Sequence, residues 1–149
     1  RAFIAHGAEI TDDSAAFARM QDTAFEPRST VVLSEGRPLP RANIANDTVE
    51  ITQSESERVT VRAQTSAAGY LVLADSWYPG WIAFVDSNPA PIYRADVIFR
   101  AVPLDPGSHT VVFEYRPTSL AIGAGISVVL LVATLAIAFG LRHKFGSGV

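Results

Sequence analysis

No cysteine occurs among the 149 residues, which removes disulfide frameworks, CxxC redox sites, thiolate zinc sites, iron–sulfur clusters and cysteine nucleophiles together. Charge is scarce too. Asp, Glu, Lys and Arg make up 18% of the chain against 48% apolar residues, with a mean hydropathy of +0.21. Such a chain is too apolar to be disordered and is apolar even for a soluble domain, so its composition implies a lipid-facing segment. An initiator Met and a signal-peptide pattern are also missing: the chain opens on Arg1, as a processed product, an expressed fragment or part of a longer polypeptide would. No internal repeat, GxSxG elbow, Gly-rich phosphate loop or dinucleotide fingerprint is found. This length accommodates one domain with a little left over and excludes two full domains.

What is present begins with Leu120–Leu141, LAIGAGISVVLLVATLAIAFGL, 22 residues without a charge. A helix of that length spans roughly 33 Å, enough for a hydrocarbon core of about 30 Å. The spacing predicts a single transmembrane helix at 118–141. Arg142, His143 and Lys144 follow at once, whereas Arg116 is the only charge close to the other end. The positive-inside rule then puts residues 142–149 in the cytoplasm as a short basic tail and residues 1–117 outside the membrane. Ten basic residues face fifteen acidic ones before position 120. That balance excludes a nucleic-acid partner and a polybasic lipid clamp, since both need clustered cations. Within the apolar run, Ala121/Gly125, Gly123/Ser127 and Ala136/Gly140 stand four apart, a spacing that lets another transmembrane helix approach closely.

Residues 1–117 are dominated by period-two alternation. In Arg58–Thr65, Val59, Val61 and Ala63 alternate with Arg58, Thr60, Arg62 and Gln64, as in a strand buried on one face. Further strands are predicted at Ala2–His6, Thr30–Leu33, Thr48–Thr52, Gly69–Ala74, Trp81–Val85, Pro91–Arg94, Val97–Val102 and His109–Tyr115. Turn signals at Pro79-Gly80, Asp86-Ser87-Asn88-Pro89 and Asp105-Pro106-Gly107 separate several of them. Ser34–Ala45 reads as a loop. One short helix is predicted at Asp12–Gln21, capped by Thr11 or Asp12, with Phe17 and Met20 on one face. The expected fold is a mainly β, antiparallel β-sandwich, jelly-roll-like, with one short helix, followed by the membrane helix.

Residues able to carry chemistry are few. His6, His109 and His143 lie far apart, with no metal-ligand spacing. No metal or cofactor is expected, and the two strand histidines read as hydrogen-bonded structural groups. Asp75, Asp86 and Asp96 fall at strand ends or turns, where aspartates accept backbone hydrogen bonds. No nucleophile or acid/base pair stands out, so no catalytic residue is assigned. Asp75-Ser76-Trp77-Tyr78-Pro79-Gly80-Trp81 is the most informative stretch. Its aromatics could plug one end of the sandwich, stack on a sugar ring, or sit at the lipid interface. Trp81, which starts a strand, is assigned to the core. Trp77 and Tyr78 are left as candidates for contact with glycan, lipid or a partner.

Three stretches taken together, GYLVLADSWYPGWIAFVD (Gly69–Asp86), PIYRADVIFRAVPL (Pro91–Leu104) and GSHTVVFEYRP (Gly107–Pro117), followed by an apolar helix, resemble the C-terminal extracytoplasmic domain and last helix of YfhO-like bacterial membrane proteins. The resemblance covers about residues 60–141 well and 1–59 more loosely. It departs at Asp86-Ser87-Asn88 and Leu104-Asp105-Pro106-Gly107, both turns. It implies a many-helix, glycosyltransferase-like protein of the bacterial cytoplasmic membrane that uses a polyprenyl-phosphate sugar to modify envelope glycopolymers. The expected catalytic acids of such a protein lie in an N-terminal half not included in these residues. This chain would then be a membrane-anchored accessory domain, with the bilayer, neighbouring transmembrane helices and envelope glycan as partners. The alternative is a non-catalytic single-pass structural subunit of a larger membrane complex.

Overall fold

The computed structural model describes residues 1–42, 44 and 46–146, without the side chains of 118, 120, 121 and 136–146. The chain divides into two units, Arg1–Arg116 and Pro117–Val149. In chain order the first contains β1 (Ala2–Ala5), β2 (Gly7–Ile10), α1 (Asp13–Met20), β3 (Thr30–Leu33), β4 (Thr48–Ser54), β5 (Arg58–Thr65), β6 (Gly69–Leu73), β7 (Trp81–Val85), β8 (Asn88–Ala90), β9 (Tyr93–Ala95), β10 (Phe99–Leu104) and β11 (Gly107–Tyr115). The second contains α2 (Thr118–Gly146).

The strands form a six-stranded sheet, in the order β1-β6-β10-β9-β3-β2, and a five-stranded sheet, β4-β5-β11-β7-β8. Between them lies a core of Ile4, Leu71, Leu73, Val102 and Leu104 from the first sheet and Val59, Val61, Ala83, Val111 and Phe113 from the second. Register accounts for the selection: Val111 pairs with both Val61 and Val85, so the alternation of β5, β11 and β7 brings one apolar row to the same face. The mainly β, two-sheet arrangement with one short helix is as the sequence predicts.

The all-antiparallel pairing is corrected. Strands β2 and β3 run parallel, Gly7 opposite Thr30 and Ile10 opposite Leu33, and α1 is the crossover that a parallel pair requires. Moreover, β1 and β2 occupy opposite edges of their sheet, yet His6 alone separates them. One residue reaches only a few ångströms, so the sheet curls until its edges meet. A second apolar cluster of Tyr70, Val72, Val31, Leu33, Ala5 and Ala101 fills its other face. A curled mixed sheet against a five-stranded antiparallel one therefore replaces the jelly-roll-like sandwich.

Helix α1 starts where its cap dictates. The Asp12 carboxylate accepts from the Ala15 N–H at 2.9 Å, and this bond holds its pKa below the usual carboxylate value. The expected Phe17/Met20 face is corrected as well: Phe17 is 60% and Met20 37% exposed, and the helix instead buries Ala16 against Phe25, Val32 and Val97. A small side chain lets the helix lie close on the sheet. Strand β8 follows a two-residue turn in which Asp86 and Ser87 have φ of 51° and 68°, the positive values a type I′ hairpin turn needs.

Helix α2 covers the predicted helical run. Among the described residues no helix is long and apolar enough to cross a membrane. The continuous part of α2 with described side chains, 122–135, rises about 21 Å, less than the ~30 Å of a hydrocarbon core. The membrane crossing expected at 118–141 is therefore not shown by the described residues.

Candidate functional site

The informative end of the first unit is built where β6 stops. After Leu73 the Asp75 carboxylate accepts two bonds from Arg1, Nε at 2.8 Å and Nη2 at 2.7 Å, and one from Arg100 Nη2 at 3.2 Å. Arg1 also reaches Ser54 Oγ at 2.7 Å, which ties β4 to the same cluster. Arg100 lies on the core-facing side of β10 and is only 2% exposed. Its guanidinium carbon sits 3.7 Å from the centroid of Trp81 and 5.5 Å from that of Phe113. Among the described residues its Nε and Nη1 have no hydrogen-bond partner, and the negative faces of those rings supply their compensation. The Arg1 hydrogen bonds hold Asp75 below the usual carboxylate range, and burial lowers the Arg100 pKa. The Asp75 carboxylate is thus ionised at neutral pH and shared by two guanidinium groups. The sequence predicts a backbone acceptor at Asp75 and no role for Arg100, because the two lie 25 positions apart.

Beyond this cluster the aromatic loop turns outward. Trp81 packs on the core and stacks on Tyr115 with centroids 5.3 Å apart. Trp77 and Tyr78 are 38% and 64% exposed. Gly80, at φ 106°, makes the turn between them and Trp81. The Trp77 N–H donates to the Ile98 carbonyl at 2.6 Å. Arg94 sits 5.8 Å over the Trp77 ring and pairs with Asp13 of α1. A groove of ≈ 400 Å³ runs beside the loop, and Trp77, Tyr78, Pro79, Trp81, Phe84 and Ile92 are among its walls.

His6, His109, Asp86 and Asp96 are spread out, and each is hydrogen-bonded. His6 Nδ1 lies 2.9 Å from the Ala68 carbonyl and Nε2 2.5 Å from Asp47 Oδ2. His109 joins Asp86 at 2.7 Å and the Asp105 carbonyl at 2.9 Å. The Asp86 bond raises the His109 pKa, while Asp86 itself is lowered first by the Thr110 N–H and then by His109. Asp96, 3% exposed, accepts from the Val32 N–H at 2.9 Å, and burial still pushes it up to about 6. Among the described residues no group of His, Asp and Glu could hold a metal ion. His143 lies outside the residues whose side chains are described.

On α2, nothing among the described residues comes within 4 Å of a Cβ built at Gly123 or Gly125. Ser127 Oγ donates to the Gly123 carbonyl at 2.9 Å and Thr134 Oγ1 to that of Leu130 at 2.7 Å, so both hydroxyls are satisfied within the helix. Ala136 and Gly140 lie outside the residues whose side chains are described.

A family model described as bacterial membrane protein YfhO matches residues 41–127, more than half of the chain. No curated protein and no solved structure matches.

Proposed function

The chain belongs to the YfhO family of bacterial membrane proteins, and from that premise we propose that residues 1–117 are an extracytoplasmic accessory domain held by one membrane span at 118–141. The domain serves a polyprenyl-phosphate-sugar-dependent envelope glycosyltransferase whose chemistry is done outside these residues. One observation carries this reading: the family match runs without a break from β4 through β11 into the first ten residues of α2, so strands and helix are one inherited unit. Supporting it, α2 exposes Ile122, Val128, Leu130, Leu131 and Val132 around its circumference, the pattern of a helix solvated by lipid. The Ser127 and Thr134 hydroxyls inside the uncharged run bond to the helix's own carbonyls, as the hydrocarbon requires. Arg142 and Lys144 follow the run, which favours a cytoplasmic end there.

The absence of cysteine makes the test clean. In bacterial cells, Glu35→Cys is expected to react with a membrane-impermeant maleimide from outside, and Ser147→Cys only after permeabilisation. The reverse pattern overturns the topology. Membranes carrying the chain alone, supplied with a polyprenyl-phosphate sugar, are expected to transfer none of it. Transfer that is lost when one of this chain's own carboxylates is changed overturns the accessory role.

A further inference from the structure

Strand β11 ends at Tyr115, and the chain leaves the first unit at Arg116, whose N–H donates to the Gly80 carbonyl at 2.7 Å. The exit point is therefore hydrogen-bonded to the aromatic loop. From Arg116 to Leu120, where the uncharged run begins, the chain can reach at most about 14 Å. Three exposed apolar side chains mark this same edge: Tyr78 at 64%, Ile98 at 56% and Trp77 at 38%. The Trp77–Ile98 backbone bond of 2.6 Å joins their two loops.

We infer that this edge, Trp77, Tyr78 and Ile98, rests in the headgroup region of the outer leaflet, so that the bilayer surface itself is its partner. The inference rests on the reading of 118–141 as a membrane span. Trp and Tyr suit that depth because each combines a flat apolar body with one polar tip. The neighbouring cations do not select anionic lipid: Arg94 is paired with Asp13 and Arg116 with Glu114. Attraction to the surface is accordingly apolar and independent of lipid charge. A sugar is the poorer occupant. None of the eleven residues lining the adjoining groove is charged, and Asp75 is already taken by Arg1 and Arg100, which leaves few groups to pair with sugar hydroxyls.

The chain has two tryptophans, and Trp81 lies under Arg100, so lipid-borne quenchers separate them. The full chain is reconstituted in phosphatidylcholine vesicles brominated high on the acyl chain. A third to a half of the emission, roughly the share of one indole in two, is expected to be quenched. Trp77→Phe is expected to lose that quenched component. Tyr78→Asp combined with Ile98→Asp is expected to lift the edge and abolish the quenching while near-UV circular dichroism stays unchanged. Replacing a third of the lipid by phosphatidylglycerol is expected to change nothing. Unquenched emission, or quenching that survives Trp77→Phe, overturns the inference. So does a Trp77 emission shift on adding maltohexaose without lipid quenching, which would assign the edge to sugar. A chain that resists carbonate extraction and labels from outside, yet shows no quenching, refutes this inference and leaves the proposed topology standing. A chain that carbonate removes refutes both.

Discussion

The two sheets handle polar residues in opposite ways. In the curled sheet, β3 and β6 are buried along their whole length, and Arg100, Asp96 and His6 are enclosed at 2%, 3% and 5% exposure. In the five-stranded sheet, β5 alternates buried with open positions, and Arg58 and Arg62 stand on the open face. A sheet with one free face can carry charge at little cost, because water solvates the outward row. A sheet covered on both faces must give every ionisable group its own partner. At the ends of β6 and β10, two interior strands of the curled sheet, Asp75 supplies Arg100 with that partner and the Trp81 ring covers the guanidinium.

The sharpest test of this contrast removes a partner from the enclosed side. Asp75→Ala leaves the buried Arg100 guanidinium with no carboxylate, a change expected to cost about 3 to 5 kcal/mol. Arg100→Met removes the cation along with its need for a partner and keeps an apolar stem between Trp81 and Phe113, so its cost is expected to stay below about 1.5 kcal/mol. Chemical denaturation of the full chain in detergent measures both. Equal losses would show that the guanidinium is not a charge in need of compensation. The pH dependence has a definite sign. The folded-state pKa of Asp75 lies below its ordinary 3.8, so its contribution is present above that value and is lost as pH falls through the lowered one. The gap between Asp75→Ala and the parent should therefore close in acid.

Asp96 has the opposite slope. Burial raises it from 3.8 to about 6 despite the Val32 N–H, so the folded state holds this proton more tightly than the unfolded chain does. Stability then falls as pH rises from below 4 to above 6, by roughly 3 kcal/mol at one unit per 1.4 kcal/mol. Asp96→Asn keeps an acceptor for the Val32 N–H and tolerates the positive φ of 46° at this position. It is expected to flatten that part of the pH profile. A profile as steep as the parent's would mean that another group titrates there.

The same contrast explains what could be read in advance. Arg58–Thr65 and Trp81–Val85 emerge residue for residue as β5 and β7, since a half-buried strand writes its period into the sequence. Strand β2, GAEI, and strand β8, NPA, leave no such trace. The first is short and pairs in parallel with β3, and the second contains a proline on a sheet edge. The strands predicted at Pro91–Arg94 and Val97–Val102 begin two residues later, as β9 and β10. The turn between them is made by Asp96 and Val97 at φ 46° and 70°, and a β-branched valine in that region gives no turn signal. Of the candidate site, the aromatic loop was legible from composition. The Asp75–Arg100 pair was not, because it depends on the register that sets Arg100 opposite Leu73.

The smallest effect belongs to the open face. Arg58 Nη1 meets Glu114 Oε1 at 2.6 Å across β5 and β11, with the side chains 45% and 15% exposed. Glu114 has a second cation in Arg116, so Arg58→Ala leaves no carboxylate without a partner. Water already screens the arginine, and fixing its long side chain costs rotamer entropy. Arg58→Ala is therefore expected to cost less than about 1 kcal/mol, and what remains should shrink in 1 M salt, where charges are screened within about 3 Å. The comparison with Asp75→Ala is the decisive one, since each change deletes one member of an arginine–carboxylate pair. If Arg58→Ala cost as much as Asp75→Ala and kept that cost at high salt, exposure would not be what separates the two sheets. A loss several-fold smaller that fades with salt would mean that the chemistry of the pair counts for less than whether its sheet has one covered face or two.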